Sequence, residues 1–180
     1  YIIYNKKFVE RPRSILKNML SSNLSIIIQS QTYSLPFNHV FISNILSDLN
    51  FISNLGGGTV CPLYINSDGQ QTIESSQART PNLNKEIVAK IEEKLGLIFT
   101  NEKEDNINTF APIDILDYIY AVLHSPTYRE KYKEFLKIDF PRVPYPKNQS
   151  TFWDLVRFGG EIRQIHLLES PKVEDYITSF

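Results

Sequence analysis

Short apolar runs and turn formers alternate along the first third of the chain. Residues 1–4, 24–29, 39–43 and 60–65 are β-branched or aromatic stretches separated by Ser, Asn, Pro and Gly, and each predicts a short strand. Between the first two, Ile15, Leu16, Met19 and Leu20 recur at helical spacing and predict a short helix over residues 14–20. The period then changes. Ile87, Val88, Ile91 and Leu95 line one face of a helix that Asn84 caps and Gly96 stops. Pro112 and Asp114 open a second helix through Ile115, Leu116, Ile119, Tyr120 and Leu123; Ser125-Pro126 breaks it and residues 128–136 resume it. Pro141, Pro144 and Pro146 predict a rigid extended connector. Ser150 is the expected cap of a helix over residues 151–157, Gly159-Gly160 its expected interruption, and residues 161–168 a last amphipathic helix. The pattern is α+β: a small β-rich part of about four short strands over residues 1–66, a polar linker or loop over 67–81, and a mainly helical part over 82–180.

Composition narrows the class. The 180 residues suit one large domain, or a compact domain with a helical extension. A hydrophobic fraction of 42% with ten Tyr and eleven Phe is ordinary for a folded globule and excludes a disordered chain. No apolar run approaches the roughly 20 residues a membrane span needs, so a soluble protein is expected. The single cysteine, Cys61, has no internal disulfide partner, and in its apolar surroundings a small buried hydrophobe is the expected role. The chain opens on strand-like Tyr1-Ile2-Ile3-Tyr4 with no leader, which suggests part of a longer cytoplasmic protein.

Net charge is −1 with a pI near 6.4. That is not the footprint of a free-standing nucleic-acid binder, whose pI is usually above about 9. The charge is nevertheless segregated: Lys6, Lys7, Arg11, Arg13 and Lys17 face only Glu10 in the first stretch. Residues 129–147 are basic and residues 85–117 acidic. From Asn18 to Ser47 no side chain is charged.

Catalytic chemistry is missing from this chain. His39, His124 and His166 are far apart in sequence, with no partner at metal-ligand spacing, so no metal site is expected. Glu92-Glu93-Lys94 has the Glu-x-Lys shape of a metal-dependent nuclease but lies on an amphipathic helix with no upstream partner, and reads as a solvated face. Gly56-Gly57-Gly58 lacks the Lys-Ser/Thr ending of a phosphate loop and reads as a flexible turn. The Asn/Asp-Pro-Pro-Tyr motif of amino-methyltransferases is absent, and Val143-Pro144-Tyr145 lacks its hydrogen-bonding Asn/Asp. No catalytic residue is therefore assigned.

Two blocks carry a resemblance. The stretch from Asp114-Ile115-Leu116-Asp117-Tyr118 through His124-Ser125-Pro126-Thr127-Tyr128-Arg129 to Asp139-Phe140-Pro141-Arg142-Val143-Pro144 resembles the C-terminal specificity domain of type ISP and related fused restriction-modification enzymes. Glu10-Arg11-Pro12-Arg13 onward, Phe37-Asn38-His39-Val40-Phe41-Ile42-Ser43 and Pro62-Leu63-Tyr64 resemble the β-rich half of the same domain, and His166-Leu167-Leu168 fits its end. The resemblance implies a division of labour. An upstream domain would bind S-adenosylmethionine and methylate adenine N6, a Mg2+-dependent nuclease domain would cut, and some members add an ATP-driven motor. This domain would choose the sequence and hold no cofactor itself. Its implied partners are double-stranded DNA and the upstream methyltransferase domain, with no membrane.

Amides and arginine discriminate base edges, whereas phosphate contacts position without specifying. Gln29, Gln31, Tyr33 and Asn38, in the charge-free stretch, are the candidate base readers. Lys6, Lys7, Arg11, Arg13 and Lys17 are the candidate phosphate contacts. Arg129 and Arg142 are further DNA-contact candidates, although a motif so rich in Tyr and Phe also suits a core or docking helix. The competing reading is a structural or protein-interaction domain that docks the catalytic domains and never meets a base.

Overall fold

The structure, a computed structural model, describes residues 15–29, 36–47, 58–66 and 79–175. Strand β1, Ser25–Gln29, is buried along its whole length, because three consecutive isoleucines supply apolar groups to both faces. It is the middle strand of an antiparallel sheet, with β2 (Val40–Ser43) on one side and β3 (Gly58–Pro62) on the other. Ile27 lies opposite both Phe41 and Val60. The run expected as one strand over residues 60–65 divides at Leu63, whose N–H donates to the Leu24 carbonyl at 2.7 Å. Beyond it, β4 (Tyr64–Asn66) turns to a different partner, β5 (Arg79–Pro81). Residues 79–81, expected in the linker, are thus strand; the rest of that segment, and the strand expected over residues 1–4, lie outside the described residues.

The helix expected over residues 14–20 is, in its described part, a short helical stretch ending in the 3-10 turn Lys17–Met19. Its Asn18 and the following Asn23 are buried amides that serve the backbone: Asn23 Nδ2 donates to the Tyr64 carbonyl at 2.8 Å, and the Asn66 N–H donates to Asn18 Oδ1 at 2.9 Å. Two polar residues of the charge-free stretch are therefore structural. Cys61 is half-buried, and burial pushes its thiol up to about 12, so no thiolate forms near neutral pH.

The helical part opens with α1 (Lys85–Leu95), capped by the Asn84 side chain and ended by Gly96 at φ 64°, both as the sequence predicts. Two short strands absent from the sequence reading follow, β6 (Ile98–Phe99) and β7 (Thr109–Phe110), paired in parallel. Helix α2 (Pro112–His124) is nearly all buried, and the Ala111 N–H donates to Asp114 Oδ2 at its N-terminus. The resumed helix is two pieces, α3 (Pro126–Lys131) and α4 (Lys133–Ile138), parted at Tyr132. No helix among the described residues is long and apolar enough to cross a membrane.

The last helix corrects the sequence reading. Helix α5 spans Gln149–His166 without a break, and Asn148, not Ser150, caps it. Gly159 and Gly160 face α2: a Cβ on Gly159 would sit 1.9 Å from the Asp117 carbonyl oxygen. The glycines are there for close approach, not interruption. Beside the crossing, Arg163 donates to the buried Asp117 carboxylate at 2.7 and 3.1 Å. Desolvation raises the Asp117 pKa, and the Arg163 hydrogen bonds oppose that rise. Phe152 packs on Tyr118 and Phe110, and one apolar cluster joins β1, β2, α1, α2 and α5. Gly159→Ala should destabilise the protein by about 3 kcal/mol in denaturant melts, because backbone cannot yield as a side chain can. Gly160→Ala, whose nearest neighbours are side-chain atoms, Asp117 Oδ2 at 3.2 Å and Arg163 Nη2 at 3.9 Å, should stay within about 1 kcal/mol of the parent protein; equal losses would refute this account of the crossing.

Candidate nucleic-acid interface

Of the candidate residues, Lys6, Lys7, Arg11, Arg13, Gln31 and Tyr33 lie outside the described residues. The structure places Lys17, exposed, on the 3-10 turn, and Arg142 beyond α4, where it pairs with Asp139 at 3.1 Å and lies over the Phe135 ring. Of the remaining three, Arg129 and Asn38 are in contact and Gln29 lies one ladder position away. Gln29 ends β1, and its N–H donates to the His39 carbonyl at 3.2 Å, which sets the end of β1 beside Asn38-His39 at the entry to β2. Arg129 reaches this point from α3 and donates through Nη1 to Asn38 Oδ1 at 3.1 Å.

Local sequence explains the reach. Ser125-Pro126 ends α2 and starts α3, with Ser125 Oγ accepting from the Tyr128 N–H as the new cap. One turn later Arg129 folds back over the end of α2, where free carbonyls attract a cation. Its Nε donates to the Leu123 carbonyl at 2.6 Å and its Nη2 to His124 Nδ1 at 3.1 Å. All these partners are neutral, and no carboxylate among the described residues pairs with this half-buried guanidinium. Burial lowers its pKa, yet arginine keeps its charge.

The guanidinium also settles a tautomer. Arginine has no acceptor, so His124 Nδ1 must be the bare nitrogen facing it. The ring proton of neutral His124 then sits on Nε2, buried against the Val40 backbone without a well-aligned bond. Burial first, then the Arg129 and His166 charges, hold the His124 pKa down at about 4. Behind it, Tyr120 Oη and His166 Nδ1 are 2.7 Å apart, and the two histidine rings 5.4 Å. Sequence reasoning treated these histidines as unrelated. Only the Tyr120 and His124 spacing on one helix face was readable; His166 arrives through the α2 and α5 crossing.

Gln29 is only 4% exposed, and its Oε1 is buried without a partner. Asn38 is exposed. Tyr118, Tyr120, Tyr128 and Phe140 of the aromatic motif are buried, so that motif packs while its arginines remain at the surface or the junction. Glu92 accepts the Phe99 N–H at 2.7 Å, and no group of three or more potential metal ligands occurs among the described residues. The junction of Arg129, Asn38, His124 and the Leu123 carbonyl is thus a hydrogen-bonded polar arrangement.

Comparison with known proteins adds three findings. The family model described as the type ISP C-terminal specificity domain matches residues 1–180. Among curated proteins none matches the chain. A cryo-EM structure of a DrdV–DNA complex is similar, with 26% identity and a TM-score of 0.63 over 86% of this chain. The chain spans 13% of the DrdV chain.

The His124 geometry gives a pH dependence. A folded value near 4 lies below the ordinary 6.5, so the unfolded chain binds the proton more tightly. The stability that depends on neutral His124 is complete above about pH 6.5 and is lost as pH falls toward 4. Denaturation midpoints between pH 7.5 and 4.5 should therefore fall less in His124→Asn than in the parent protein; equal falls would remove His124 as the cause.

Proposed function

We propose, on the premise that this chain belongs to the type ISP C-terminal specificity domain family, that it is the DNA target-recognition domain of a restriction-modification enzyme. The family match along the whole chain carries this reading, and the similarity to a protein determined in complex with DNA supports it. The parent polypeptide would methylate adenine N6 with S-adenosylmethionine and cleave with Mg2+ through other domains in the cytoplasm, using ATP where a motor is present. The upstream methyltransferase domain would be the partner within the same chain, and double-stranded DNA the ligand.

In this reading Lys6, Lys7, Arg11, Arg13 and Lys17 contact phosphates, with Arg142 a further basic contact. Gln29, Gln31, Tyr33, Asn38 and Arg129 form the base-reading side. Among the described members of that side, Asn38 is exposed, which supports its contact with a groove, whereas Gln29 is buried and would meet DNA only if the end of β1 shifted. A net charge of −1 is compatible with the role when the domain is one jaw of a clamp, because the affinity is then shared with a linked partner.

One observation favours a second reading, a docking domain that reads no base. Phe158 and Ile165 on α5, and Leu168 just past it, are 47%, 38% and 77% exposed. Such apolar exposure suits contact with a neighbouring domain.

One experiment separates the two. The parent polypeptide, with and without these 180 residues, is bound to a randomised duplex pool at two salt concentrations, and the retained sequences are read. Enrichment of one motif only when the domain is present is the expected result; equal selectivity without it leaves the docking role alone standing. Replacing both Arg11 and Arg13 by alanine should reduce the slope of log affinity against log salt by about two, since each lost phosphate contact removes roughly one.

A further inference from the structure

We propose that Arg129 is a positioning residue that fixes the Asn38 amide with its Nδ2 hydrogens facing outward, and that Asn38 so held reads a guanine in the target duplex. The proposal rests on the DNA-recognition reading above and adds to it a base, a residue and the device that orients it.

The orientation follows from elementary chemistry. A guanidinium only donates, so the Asn38 atom 3.1 Å from Arg129 Nη1 is the carbonyl oxygen. Flipping the amide would set N–H against N–H, so the rotamer is locked in one sense. Arg129 is itself held from the helical side by the Leu123 carbonyl at 2.6 Å and His124 Nδ1 at 3.1 Å, and it transmits that rigidity to Asn38. Nothing among the described residues takes up Asn38 Nδ2, and the side chain is exposed.

The same contacts select the base. A free asparagine pairs with adenine by accepting from N6 and donating to N7. Here the oxygen is engaged, and the unspent hydrogens at this point belong to Asn38 Nδ2 and to Arg129, which uses one hydrogen on each of its three nitrogens. The unspent side-chain groups of this Arg129–Asn38 pair are donors, whereas the major-groove edge of guanine, N7 and O6, is all acceptor. The half-buried cation strengthens the match by polarising the amide and by repelling donor-bearing edges.

The test uses the whole parent polypeptide and selection from a randomised duplex pool, with melting curves to confirm folding. Asn38→Ala, at an exposed position, should weaken the guanine preference at one base pair about tenfold while leaving every other position unchanged. Arg129→Lys keeps the charge but not the planar fork, and should relax that same base pair. Asn38→Asp removes the donors and should turn the preference away from guanine. A uniform loss of affinity across all sequences in Asn38→Ala and Arg129→Lys, or an undiminished guanine preference in Asn38→Ala, overturns the proposal while leaving target recognition intact. A parent protein that selects no sequence at all overturns the recognition reading as well.

Discussion

The near-contact of α5 with the backbone of α2 at Gly159 is the constraint on which the rest of the molecule turns. With any side chain at that position the helices would stand apart, because the space where its Cβ belongs is held by the Asp117 carbonyl. Close approach lets Arg163 reach Asp117 in a place where a lone carboxylate would be expensive. It also seats Phe152 among Tyr118 and Phe110, and carries His166 onto Tyr120. From there a continuous path runs through His124 to Arg129 and to Asn38.

The elements that were legible in the sequence are those whose determinants are local. Asn84 and Gly96 bound α1 through their own side chain and backbone, Pro112 starts α2, and three adjacent isoleucines between turn formers read as a short strand. What was misread depends on distant partners. Gly159-Gly160 reads as a break until Asp117 is placed beside it. The turn at Leu63 is set by Leu24 and Asn82, and β6 and β7 are too short for any period to announce them.

The site divides in the same way. The family was readable as a resemblance carried by the long block of residues 114–144, which folds as α2, α3, α4 and the stretch after them. That Gln29, Asn38 and Arg129 would share a junction followed from nothing local, since residues 38 and 129 meet only through tertiary packing. Nor could composition tell which amides of the charge-free stretch face inward. Asn18 and Asn23 are spent on backbone groups, Gln29 is buried, and Asn38 is exposed. Burial of an amide depends on which backbone groups lack partners nearby, a property of the assembled fold.

The charge distribution makes physical sense on these terms. A domain that selects sequence within a longer polypeptide gains little from strong phosphate attraction of its own, because that attraction is equal for every duplex and adds to competing sites as much as to the target. Neutral amides add discrimination without that background. In the role proposed for Arg129, a cation drawn partly inside and shared among a carbonyl, an imidazole nitrogen and an amide oxygen would orient a donor while presenting less of its charge to the backbone of a wrong duplex. On the proposed function, a net charge near zero is compatible with a hold on DNA that is shared with the rest of a longer polypeptide.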